Sequence, residues 1–149
     1  MRTNVLIMFL SSFVTVTAAC DFFGPAPSLP HAAAMSGCGP ADGPTITILL
    51  ARDPIRSFPP SIPYVNATIW NPPYQLVGHT WSVSPRGEAS ASYVPWPGAL
   101  QWASSGSITI TAVDSAQTVE GVVDLQFPSR IVATQFKAPW IVQQGVYCN

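Results

Sequence analysis

At 149 residues the chain has room for one domain, and a body of that size buries about two-thirds of its unfolded surface. Charged residues make up 9% against about 25% in an average soluble domain, and sixteen prolines are about twice the usual share; both argue against solvated helices, whose interiors proline breaks. With a net charge of −1 and no basic run, the chain lacks the electrostatic footprint of nucleic-acid binding.

The first residues carry an address. Arg2 is followed by a twelve-residue apolar run at 5–16 (VLIMFLSSFVTV) and by the small residues Thr17, Ala18 and Ala19. A spanning helix needs about 20 apolar residues, so this run reads as a secretory signal peptide over 1–19. Two processing readings follow. Ordinary cleavage would fall after Ala18 or Ala19. The alternative is lipobox processing at Thr17-Ala18-Ala19-Cys20, in which the Cys20 thiol takes a diacylglycerol and becomes the mature N-terminus. Thr17 stands where such a box usually has Leu.

Cysteine arithmetic favours the lipid. The chain has three cysteines, Cys20, Cys38 and Cys148, and an odd count in an exported protein leaves one without an intramolecular partner. A lipidated Cys20 leaves Cys38 and Cys148 to form a disulfide in an oxidising compartment. No CxxC or CxH spacing suggests a metal, and no cofactor motif is present.

Residues 20–43 are rich in Pro, Ala, Gly and Ser, without period, and read as a tether holding a body off the membrane, with His31 solvated in it. The folded body is expected at 44–149. Strand signals begin at 45–51 (TITILLA), with Ile46, Ile48 and Leu50 on one face. At 64–70 (YVNATIW), Val65, Ala67 and Ile69 alternate with polar and aromatic residues. The segment 75–84 (QLVGHTWSVS) is β-branched and aromatic, and 88–94 (EASASYV) is a weaker strand signal. Further strands are expected at 107–113 (SITITAV), 119–127 (VEGVVDLQF), 130–138 (RIVATQFKA) and 142–148. Loops are expected at 54–63 and over 85–102, and tight turns near 114–117 and 128–129. Short strands at about ten-residue spacing without an amphipathic helix predict an all-β fold, an antiparallel β-sandwich or small barrel with a C-terminal meander.

The C-terminal third resembles a pattern in small exported bacterial lipoproteins. It is carried by Gly-Ser-Ile-Thr-Ile-Thr at 106–111, the strand at 119–127, Phe-x-Ala-Pro-Trp at 136–140, and Cys148. The resemblance implies a β-rich module of the bacterial cell envelope, lipid-anchored in the periplasm or at the cell surface, and supplies no catalytic residues.

No nucleophile elbow, zinc-protease helix or phosphate-binding glycine loop occurs in the chain. His79 could form an acid–base pair with Asp53, Glu88 or Asp114, although a strand histidine with a solvated ring is the commoner case. A carboxylate pair for glycoside hydrolysis would be drawn from Asp53, Glu88, Glu120 and Asp124, with nothing to select two of them. Asn66-Ala67-Thr68 fits a glycosylation sequon, relevant only in a eukaryotic host.

Aromatics form the stronger lead. Trp70, Tyr74, Trp81, Tyr93, Trp96 and Trp102 concentrate beside prolines between residues 70 and 102. Trp70, Tyr74, Trp96 and Trp102 are the candidate contacts for a carbohydrate or protein ligand. The competing expectation is that most of the rings plug the ends of the body, with Trp96 in its Pro95–Gly98 turn at the surface. The sequence therefore points to a lipid-anchored, disulfide-stapled, non-catalytic envelope domain. A secreted binding domain is the alternative, and a small hydrolase using His79 the weakest reading.

Overall fold

Nine β-strands and no helix make up residues 28–39, 43–114 and 117–141, the part of the chain that the computed structural model describes. In chain order they are β1 (His31–Cys38), β2 (Pro44–Ala51), β3 (Tyr64–Trp70), β4 (Thr80–Ser82), β5 (Ala89–Val94), β6 (Gln101–Trp102), β7 (Ser105–Val113), β8 (Thr118–Phe127) and β9 (Arg130–Ile141). They form one sheet in the order β4-β7-β8-β9-β1-β2-β3-β5-β6. Neighbours are antiparallel except β1 and β9, which run parallel through Ala34↔Trp140 and Met35↔Ile141. The fold is all-β, and β7-β8-β9 form the expected meander. The sheet curls on itself into a half-barrel, so the layer opposite each strand comes from the same sheet and not from a second one.

Period-two alternation gives the curled sheet its interior face. Ile46, Ile48 and Leu50 of β2, Val65, Ala67 and Ile69 of β3, Ile108 and Ile110 of β7, and Val119, Val123, Leu125 and Phe127 of β8 point to one interior. Their outward neighbours on β8, Asp124 and Gln126, are solvated, the pattern of a sheet with one wet face. On that wet face Lys137 of β9 pairs with Glu120 of β8 at 2.7 Å. The hydrogen bond to Glu120, and then its charge, raise the lysine's pKa above its ordinary value. The ends of the curled sheet are tacked together by a bridge between Val83 and Ala89 and by Ser84 N–H donating to the Ala89 carbonyl.

Within the 20–43 tether reading, the described residues 28–39 need correction, while 20–27 and 40–42 lie outside the described residues. His31–Cys38 is a strand, paired with β2 along its whole length from His31↔Ala51 to Cys38↔Pro44, and Leu29 already lies in the core. Ala34 faces the main interior. Ala33 and Met35 face the other way, into a second apolar cluster with Leu49, beneath Ile55 of the 52–63 loop. The centre of the sheet is therefore dry on both faces. Small alanine side chains suit a strand packed from both sides, and their order comes from the β2 ladder instead of local propensity.

Two other expectations change. The 75–84 signal yields only Thr80–Ser82 as a strand, because a turn with Gly78 at φ +85° interrupts it and His79 N–H closes onto the Leu76 carbonyl; such a turn requires a residue that tolerates positive φ. Within the 85–102 loop region the weak strand signal at 88–94 forms β5, and Gln101–Trp102 adds the short strand β6, which was not expected. The expected strand at 142–148, the signal segment, Cys20 and Cys148 lie outside the described residues.

A cation–π and hydrogen-bond contact also ties the two halves of the curl. The Arg130 guanidinium lies 4.9 Å from the centre of the Tyr93 ring and donates from Nη1 to the Tyr93 hydroxyl at 3.1 Å. Combining the cation–π and hydrogen-bond contributions, Arg130→Ala is expected to lower unfolding free energy by about 1–2 kcal/mol, read from urea denaturation. An unchanged midpoint would remove this tie from the account.

Candidate functional site

A groove of about 630 Å³ opens beside β4, lined by Trp70, Asn71, Pro73, His79, Thr80, Trp81, Arg86, Gly87 and Glu88. Its walls come from the end of β3, the β3–β4 loop, β4 itself and the β4–β5 turn. Each wall is held by main-chain bonds. Trp70 N–H donates to the Glu88 carbonyl at 2.9 Å, and Asn71 N–H to the Pro44 carbonyl at 2.9 Å. Gly87 N–H closes the 84–87 turn onto the Ser84 carbonyl at 3.1 Å. Asn71 sits at φ +47°, a left-handed conformation that asparagine tolerates better than most residues.

The indole of Trp70 is half-buried, with the Gly39 backbone against it: a Cβ at Gly39 would lie 3.2 Å from Trp70 Cε3. Trp81 is buried and forms the floor, with the His79 ring tilted 32° to it at a centroid distance of 5.8 Å. Arg86, Glu88, His79 and Asn71 are exposed, and their side chains make no hydrogen bond or ion pair within the described residues. The groove thus offers a braced aromatic ring, a cation, a carboxylate and an imidazole at its surface, with the Asn71 amide at its rim, packed against Gly43.

Of the four aromatic candidates, only Trp70 lines this groove. Trp102 is 59% exposed on edge strand β6 and lines a separate, more apolar pocket of about 300 Å³ with Pro85, Ser90, Ala91 and Ala103. Trp96 is 60% exposed, at the surface as its turn predicts, while Tyr74 is fully exposed; neither lines either cavity. Trp81 and Tyr93 are buried, so the plug expectation holds for them.

His79 and Glu88 share the groove, but no hydrogen bond or ion pair ties the His79 ring to a carboxylate among the described residues. Arg86 and Asn71 were not selected by sequence reasoning. The one available signal was Pro85-Arg86-Gly87-Glu88, a turn sequence with opposite charges two residues apart. Among the described residues no three His, Cys, Asp or Glu side chains group to hold a metal. Asn66 and Thr68, of the sequon, lie on β3, where the Thr68 hydroxyl donates to Asn66 Oδ1 at 3.2 Å. Cys38 ends β1 and its thiol is not free.

No protein-family model, curated protein or solved structure matches this chain.

Proposed function

We propose that this protein is a non-catalytic binding module of the bacterial cell envelope, exported by its first nineteen residues, anchored through lipid on Cys20 and stapled by a Cys38–Cys148 disulfide. We infer kinship with the small exported lipoproteins that its C-terminal third resembles. The observation that carries the binding role is the groove beside β4, where a half-buried indole meets four polar side chains without protein partners.

The staple is supported by chain reach. Met35 stands opposite Ile141; Cys38 lies three residues beyond Met35, and Cys148 seven beyond Ile141. Seven residues can span up to about 24 Å, against about 10 Å of strand for three. The anchor is supported by the cysteine count and the apolar leader. Leu29 is already in the core, so a lipid at Cys20 would hold the body close to the bilayer and not on a long leash.

Metabolic labelling with radioactive palmitate tests the anchor. The wild-type protein is expected to take up label in the membrane fraction, and Cys20→Ala to lose it. Equal labelling of both, or none in either, would remove lipid anchoring.

A further inference from the structure

We propose that the groove beside β4 is a subsite for a neutral saccharide, with Trp70 as the stacking ring and Asn71, His79, Arg86 and Glu88 as the groups that address its hydroxyls. This rests on the reading of the groove as a binding site and names its ligand class.

The chemistry of the lining selects that class. A pyranose presents apolar C–H faces and a rim of hydroxyls, each both donor and acceptor. An indole face takes the C–H side. Arg86 contributes donors only and Glu88 acceptors only, so vicinal hydroxyls can be matched from each side, with the Asn71 amide at the rim against Gly43. Opposite charges on the same turn, Arg86 and Glu88, cancel the field that would draw an anion or a cation, leaving a ligand without net charge as the best fit. The volume of about 630 Å³ falls within the range of about 300–1,000 Å³ typical of small-molecule sites.

A peptide fits less well. Strand addition needs an open edge with successive free main-chain groups. β4 has three residues, and the 84–88 turn presses on it: a Cβ at Gly87 would lie 2.8 Å from the Ser82 carbonyl oxygen. The edge that a peptide would use is therefore capped. The groove is also pre-formed, because the main-chain bonds from Trp70, Asn71 and Gly87 fix three of its walls. Little ordering entropy remains to be lost when a ligand enters.

The test uses the full-length protein in detergent, titrated with neutral tri- and tetrasaccharides of glucose, galactose, mannose and N-acetylglucosamine in α and β linkages. Heat of binding and amide chemical-shift changes are followed. At least one of these sugars is expected to bind, with shifts confined to residues 70–73, 79–81 and 86–88. Arg86→Ala and Glu88→Gln, both exposed and outside the core, are expected to weaken binding at least tenfold, and Trp70→Ala to abolish it. Trp102→Ala is expected to leave it unchanged. No binding by any sugar, shifts centred on Trp102, selective binding of anionic glycans, or occupancy of the groove by a protein would each overturn the assignment. Lipid labelling of Cys20 is read on the same preparation. Loss of sugar binding with the lipid intact therefore sinks this inference alone, and loss of lipid with sugar binding intact sinks only the anchor.

Discussion

Gly121→Val is expected to be among the most damaging single substitutions in the described part of the protein, costing about 3 kcal/mol or more of stability, the upper range for overpacking. Gly121 sits in the middle of β8, between Ile110 of β7 and Phe136 of β9. A Cβ at this position would run into the Thr109 carbonyl oxygen and lie 2.7 Å from Cζ and 2.9 Å from Cε1 of Phe136. The phenyl ring can turn, but the carbonyl belongs to the β7 backbone and cannot. The register shift between Ile110 and Ala112, a bulge that bends a strand and increases its twist, lies at the same place. The meander is thus curved around a position where any side chain is excess volume. Equilibrium urea unfolding reads the effect. A variant within about 0.5 kcal/mol of wild type, the range of ordinary surface substitutions, would mean that the sheet does not pack this tightly.

Removing the proposed Cys38–Cys148 staple is expected to have an effect as large or larger. A Cys38–Cys148 bond closes about 110 residues, which the chain-entropy model values at about 4–5 kcal/mol, with measured values often smaller. The double variant Cys38→Ser/Cys148→Ser avoids a stray thiol. Its unfolding midpoint is expected to match that of the reduced wild-type protein and to fall well below that of the oxidised one. Coincident midpoints for oxidised and reduced wild type would show that no such bond stabilises the body. The ladder between β1 and β2 runs the full length of both strands, so the reduced protein is expected to keep its sheet and lose stability before structure.

Much of the fold was legible because four strands, β3, β7, β8 and β9, have one dry and one wetter face along much of their length, which alternation encodes directly, and because β2, though dry on both faces, begins with alternating Thr and Ile. β1 was not legible. His-Ala-Ala-Ala-Met-Ser-Gly-Cys has no bulky branched residues and no alternation, and it is flanked by prolines and glycines; its strand state comes from β2 and β9, which are distant in sequence or known only after folding. Alternation also says which side of a strand is dry without saying what faces it. A sandwich and a curled single sheet leave the same pattern, and the distinction lies in the Val83–Ala89 bridge and the β1–β9 pairing.

The site was legible only in part, for a related reason. Trp70 and His79 each drew notice, one as an aromatic and one as a titratable group, but nine positions separate them along the chain. The β3–β4 loop folds back to bring them into one groove. Arg86 and Glu88 looked like ordinary turn charges, and their role depends on the Trp70–Glu88 main-chain bond that lays the turn beside the indole. Trp96 and Trp102 were singled out by the same composition that found Trp70, yet composition could not show that they face other directions.

The central claim is that an exported chain spends one cysteine on lipid and the other two on locking the body. The intact mass of the protein purified from native membranes tests it most directly. The account predicts a chain that begins at Cys20, carries a diacylglycerol, and lacks the two thiol hydrogens of Cys38 and Cys148. A chain that begins at Cys20 or later without lipid, or one with both later thiols free to alkylate, would contradict it.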